Sequence, residues 1–298
     1  MTSKSAHAST TELNDQTNNV INAMTIDVED YFHVGAFEND ISRNDWDDLP
    51  CRVEQNTKKA LDLFERNNVK ATFFVLGWVC QRYPELIREI YRKGHEVASH
   101  SIGHHRVTDL SRAEFVEDIT RSKKMLEDTI GAAVIGYRAP SFSIGEKNIW
   151  ALECLKEAGY LYSSSIYPIR HDHYGMPSAP RFAFNPIENS EFLEMPVTTV
   201  EALGKKFPCG GGGYFRLLPY ALSKLAMNRV NQKDREACIF YFHPWEIDPD
   251  QPRQTQASFK SRFRHYTNLD VMESKIERLL REFNWGRMDD IFLGGDSK

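Results

Sequence analysis

A chain of 298 residues, 41% of them hydrophobic, has the apolar content for a sizeable core in one large domain or two small ones. Its 37 Lys and Arg stand against 42 Asp and Glu, a formal charge of −5, so no cation excess is present to neutralise a row of phosphates and nucleic acid is not an expected partner. No apolar run approaches the roughly 20 residues of a membrane-spanning helix; with no apolar secretion segment in the first twenty residues and no Cys-x-x-Cys pair, the expectation is a cytoplasmic protein whose five cysteines are reduced thiols packed in the core.

Residues 1–22 are polar and are expected to form a disordered tail. AMTIDV (23–28) reads as the first strand, and VEQNTKKALDLFERNN places Val53, Ala60, Leu61 and Phe64 at helical spacing. KATFFVL (70–76) is a second strand, followed by a helix opened by Pro84 and the short strand EVAS. The best-marked helix is SRAEFVEDITRSKKMLEDTIG, which opens on a Ser111-x-x-Glu114 capping box and stops at Gly131. AVIGY (133–137), the helix KNIWALECLKEAG, YLYSS, EFLEMPV, a helix near 219–231 and ACIFYF (237–242) continue the alternation. Repeated strand and helix predict an α/β fold with a largely parallel sheet, either a barrel or a doubly wound sheet. After residue 248 the alternation fades, leaving one amphipathic helix, LDVMESKIERLLREF, expected to pack on the domain.

Polar clusters fall at the carboxyl ends of the strands, the face on which α/β folds build their sites. TIDVEDYFH crowds Asp27, Glu29 and Asp30 together, and carboxylates that close raise one another's pKa unless a cation relieves them. On an extended backbone Asp27 and Glu29 share a side, so one can ligate a metal while the other stands free as a base. HSIGH sets His100 and His104 four residues apart, past a glycine that lets the chain turn, a spacing that supplies two nitrogens to a divalent metal. GYRAPSFS ends a strand with Arg138 and Pro140, and FYFHPWEID ends another with His243. Two His and a carboxylate for a metal, a free carboxylate, an arginine and a further histidine are the parts of metal-assisted acyl hydrolysis.

The ordered set TIDVED, HSIGH, YRAP and YFHPWE resembles the motifs of the polysaccharide deacetylases, the carbohydrate esterase family 4 or NodB-homology group. DVEDYF, YSSSIYP, GGGYFRLLP and HPWEID are similar to a bacterial subgroup associated with exopolysaccharide and exosortase systems that carries a C-terminal extension. The resemblance implies a distorted, incomplete (β/α) barrel over residues 23–248, an extension over 249–298, and removal of N-acetyl groups from hexosamine units of a polysaccharide or its precursor. It implies that His100 and His104 bind a divalent metal, zinc before cobalt or nickel, with Glu29 as third ligand and Asp30 as the alternative. Asp27 would be the general base, Arg138 its orienting partner and His243 the general acid. Tyr137, Pro140 and Trp245, beside these motifs, are the candidate substrate contacts, with backbone donors near Tyr137 or Arg138 for the oxyanion. The competing readings are a metal-independent, allantoinase-like amidohydrolase and a non-catalytic glycan-binding module. CGGGGYF (209–215) lacks the Lys-Ser/Thr of a phosphate loop and is expected to turn tightly towards the substrate groove. IYPIRHDHYG (166–175) has the composition of a carbohydrate-stacking loop or a polar surface loop.

Overall fold

Strand β1 (Ile21–Val28) is buried along all but its first residue, as a strand covered on both faces must be. The computed structural model describes residues 20–170 and 175–294; most of the expected polar tail (1–19), and His171 and His173 of the aromatic and basic loop, lie outside the described residues. β1 is the hub of an eight-stranded sheet, pairing in parallel with β2 (Thr72–Val75), β9 (Ile239–Phe242) and β10 (Asn284–Gly286). From β2 the parallel sheet continues through β3 (Glu96–Ser99), β4 (Gly136–Tyr137), β5 (Tyr162–Ser163) and β6 (Leu193–Glu194). A separate antiparallel hairpin is formed by β7 (Thr199–Ala202) and β8 (Lys205–Pro208).

Helices connect the strands: α1 (Val53–Arg66), α2 (Gly77–Arg82), α3 (Pro84–Arg92), α4 (Arg112–Ile130) and α5 (Trp150–Glu157) in the first half, α6 (Gly212–Leu217) and α7 (Tyr220–Arg229) before β9. Their apolar faces, among them Phe64, Ile87, Phe115 and Leu155, meet Phe73, Val97 and Phe240 of the sheet in the main core. In α4 the Ser111 hydroxyl accepts from Glu114 N, the Glu114 carboxylate accepts from Ser111 N, and Gly131 closes the helix in the left-handed conformation.

The sheet curls without closing on itself: among the described residues no ladder joins β6 to β9. The gap is spanned by single bonds, Tyr241 N to Gly210 O at 2.8 Å and Ile239 N to Thr198 Oγ1 at 2.6 Å. This is a distorted, incomplete (β/α) barrel. The glycine run belongs to that seam rather than to a groove. A Cβ on Gly211, whose φ is +111°, would lie 2.0 Å from Tyr241 O, and one on Gly212 would lie 2.4 Å from the Tyr241 hydroxyl oxygen.

β4 and β6 are shorter than their sequence runs, and just before them backbone amides bond to side chains instead of a ladder: Val134 N to Glu127, Phe192 N to Ser190 Oγ. The segment after residue 248 packs its expected helix on the domain and holds further elements besides. It contains α8 (Phe259–Tyr266), α9 (Leu269–Glu282), β10 and α10 (Met288–Phe292). α9 buries the stripe Leu269, Met272, Ile276, Leu279 and Leu280, and β10 extends the sheet at the start of β1.

Candidate active site

The carboxyl ends of β1, β3 and β9 open into a cavity of about 380 Å³ lined by Asp27, Glu29, His100, His104, His243 and Trp245, among others. β1 delivers Asp27 as its penultimate residue; a tight turn in which Glu29 N bonds to Asp27 O then brings the second carboxylate to the same cavity. After β3 the chain folds back over His100, and the turn is made by Ser101 (φ 70°) and His104 (φ 53°), not by Gly103. Two donors hold that strained loop: Arg43 Nε bonds to Gly103 O at 3.1 Å and Arg43 Nη2 to His104 O at 2.9 Å.

Glu29, His100 and His104 offer three donor atoms within 4.8 Å of one another, all buried. Glu29 Oε2 lies 2.7 Å from His104 Nε2, yet it is a buried oxygen without a well-formed hydrogen bond. Such an oxygen facing an imidazole nitrogen fits a cation shared between them. His100 bonds through Nδ1 to Arg138 O at 2.8 Å, which fixes the ring and leaves Nε2 as its ligand atom. Burial presses His100 down to about 4, so the ring is neutral. Burial alone would raise the Glu29 carboxyl, but the imidazoles of His104, His243 and His100 outweigh it and hold it well below the ordinary carboxylate range.

Asp30 stands apart from this set. Its carboxylate accepts from the backbone of Tyr31, Arg52 and Val53 and from the Cys51 thiol, so it anchors the start of α1. Of the two carboxylates open for the third ligand, the structure brings Glu29 to the histidines.

Arg138 is completely buried beneath the cavity. Its Nη1 donates to Asp27 Oδ1 at 2.6 Å and to Thr25 Oγ1 at 2.8 Å, while Nε and Nη2 donate to the carbonyl and hydroxyl of Ser164. Asp27 Oδ2 is thereby left facing His243 Nε2 at 4.0 Å. His243 Nε2 also lies 3.4 Å from Glu29 Oε1, and its Nδ1 lies 2.8 Å from Glu246 Oε1. Burial would lower His243, but Glu29 and Glu246 outweigh it and push it up to about 9.

The candidate substrate contacts are placed otherwise than their sequence positions suggest. Tyr137 is buried against Phe115 and Tyr160 in the core, and Pro140 is buried at the start of a short turn whose Ser141 and Phe142 reach the cavity instead. Trp245 lines the cavity but is only 5% exposed, its ring stacked on His243 and on His265. Arg138 N already donates to Ser99 O, which removes it as an oxyanion donor.

Sequence reasoning missed the support of His243. Glu246 also accepts from Arg216 Nε at 2.6 Å, and the buried Arg216 donates onward to the carbonyls of Arg264, His265 and Thr267. The Glu three residues after His243 in HPWE was a local signal; Arg216 lies in GGGYFRLLP, where nothing pointed to Glu246 as its partner.

Residues 45–163 match the polysaccharide deacetylase family, and residues 164–293 match a domain of unknown function, DUF3473. The first of these stretches is thus similar to the polysaccharide deacetylases. A peptidoglycan-N-acetylglucosamine deacetylase of Bacillus cereus is 32% identical over 104 residues, 35% of this chain and 47% of that protein. The enzyme of that name from Listeria monocytogenes, PgdA, is 35% identical over 91 residues, 30% of this chain and 20% of its own length. The matched stretch thus spans about half, or less, of these relatives. Among solved structures, one described as a polysaccharide deacetylase from Mycobacterium smegmatis superposes with a TM-score of 0.59 at 19% identity, covering 92% of this chain and 89% of that one. The Puue allantoinase shares the fold at a TM-score of 0.57 and 15% identity, covering 92% and 89%.

Proposed function

We propose that the chain is a metal-dependent hydrolase that removes N-acetyl groups from N-acetylhexosamine units of a bacterial polysaccharide or its precursor. One observation carries this reading: a buried Glu–His–His donor set, a carboxylate aimed by a buried arginine, and a histidine aimed by a glutamate converge in one cavity. Relatives named as peptidoglycan and chitin deacetylases supply the substrate class.

Glu29, His100 and His104 would hold the metal, with zinc proposed before cobalt or nickel because two imidazoles and one carboxylate suit it. Once bound, the cation supplies a Lewis acid for the acyl oxygen and for water. The remaining work belongs to the side chains. Arg138 fixes Asp27 through Oδ1, and Oδ2 takes the proton of the attacking water as its oxygen adds to the acetyl carbon. Glu246 fixes His243 through Nδ1, and Nε2 gives a proton to the sugar nitrogen as the carbon–nitrogen bond breaks. Acetate and a free hexosamine amine result. An allantoinase-like reaction without metal is disfavoured by the complete donor set, and a bare binding module by the aimed pair Asp27 and His243.

The test is acetate release from N-acetylglucosamine oligomers after chelation and again after zinc is returned, with bound metal counted per chain and His100→Ala alongside. Release restored by zinc in the wild type, with metal and release both lost in His100→Ala, is the expected result. One metal per chain without release from any oligomer would remove Asp27 and His243 from their roles.

A further inference from the structure

The near balance of charge over the whole chain conceals a local imbalance. Residues 251–269 carry Arg253, Lys260, Arg262 and Arg264 and contain neither Asp nor Glu, in a chain of net charge −5. Helix α8 lies in this stretch and presents two sides. One side lines the cavity through Lys260, Ser261, Arg264 and His265. Elsewhere on the helix Phe259 and Phe263, one turn apart, stand 81% and 52% exposed with their rings stacked, centroids 6.4 Å apart. An exposed apolar patch rimmed by cations marks a binding surface.

We propose that α8 is an interfacial helix that seats the mouth of the cavity on an anionic lipid surface. Phe259 and Phe263 enter the boundary between headgroups and acyl chains, and Arg262 and Arg264 meet the lipid phosphates. Charge selects this occupant over a second copy of the chain, because residues 251–269 carry cations and neither Asp nor Glu, so two copies of α8 set together would oppose like charges. Phenylalanine, without the polar tip of Tyr or Trp, also suits acyl chains better than a hydrated glycan. No helix of the described residues is long and apolar enough to cross a membrane. Resting on the deacetylase reading, the consequence is a substrate presented at the bilayer, an N-acetylated glycan on a lipid carrier.

The experiment is co-sedimentation of the full chain with vesicles of equal parts phosphatidylglycerol and phosphatidylcholine, against phosphatidylcholine alone, at low and high salt. The variants are Phe259→Ser/Phe263→Ser and Arg262→Glu, none of which touches the cavity. The wild type is expected to pellet with anionic vesicles only and to be released by salt. The double variant is expected to lower partitioning by about tenfold or more, and Arg262→Glu by roughly tenfold, while both release acetate from short soluble oligomers as the wild type does. A wild type that stays in the supernatant, or variants that pellet equally well, would overturn the proposal. So would a dimer lost in the double variant, which would assign the face to a second copy, or a defect confined to long oligomers without vesicle binding, which would assign it to a glycan. If vesicle binding holds but no oligomer is turned over by the wild type, the deacetylase reading fails and the lipid surface stands.

Discussion

Arg138 and Asp27 form a buried ion pair whose worth lies in aim more than in stability. Removing one partner strands the other charge in the core, and Arg138→Met is expected to destabilise the fold by roughly 3–5 kcal/mol. Adding Asp27→Leu should return most of that stability, and no activity. Urea unfolding of the single and double variants checks this; a double variant as unstable as the single would show that Thr25 and Ser164, not the ion pair, dominate. Glu246 acts on His243 and not on substrate, so Glu246→Gln tests a positioning role. It removes one of the charges that, with Glu29, raise His243, so the acid form is lost at lower pH and the alkaline limb of the kcat profile should move down, with kcat reduced about 10–100-fold. An unshifted limb with reduced kcat would mean that only geometry was disturbed. Asp27, Glu29, His100, Arg138 and His243 were all legible because each sits at a strand end in a short polar string. The roles of Arg216, His265 and Ser164 were not, because their partners come from remote parts of the chain, even though Ser164 and Arg216 lie in the strings YSSSIYP and GGGYFRLLP.

The strands explain why some elements could be read and others not. α4 was readable whole because its capping box and its terminal glycine are local chemistry. β10 has three residues, Asn284, Trp285 and Gly286, and becomes a strand only by pairing with β1 at the other end of the chain. Its attachment also creates a pH-sensitive joint at the opposite end of the barrel from the cavity. Glu96, at the start of β3, is buried and accepts from the hydroxyls of Thr72 and Tyr162 and from Asp289 N, while Met288 N bonds to Thr72 Oγ1. Burial, reinforced by Asp289, pushes Glu96 up to about 8. A carboxyl raised in the folded state is protonated there while the unfolded chain has already lost its proton. Its stabilising contribution is therefore complete below the ordinary glutamate range and falls as pH rises from there to about 8. Glu96→Gln should flatten that slope in melting temperature measured from pH 5 to 9, and an unchanged slope would locate the titration elsewhere.

At the scale of the molecule, the question is whether the segment after residue 248 is an appendage or part of the barrel. The sequence predicted an extension packed on the domain, since strand and helix stop alternating there. The contacts argue for an integral part in three independent ways. β10 completes the pairing of β1, the strand that carries Asp27. α9 buries five apolar side chains, each worth roughly 1.5–3 kcal/mol, so the sum rivals the 5–15 kcal/mol net stability of a whole domain. The carbonyls of residues 264, 265 and 267 are acceptors for Arg216, whose carboxylate partner Glu246 aims His243. Ending the chain at residue 248 should therefore do more than trim it: it bares the surface under α9 and leaves a buried guanidinium short of acceptors. The expected product has helical far-ultraviolet dichroism, no near-ultraviolet signal, no cooperative urea transition and no acetate release. A truncated chain that unfolded cooperatively and bound one metal would show that residues up to 248 fold alone, and the support of His243 would then have to come from Glu246 without Arg216's outer anchors.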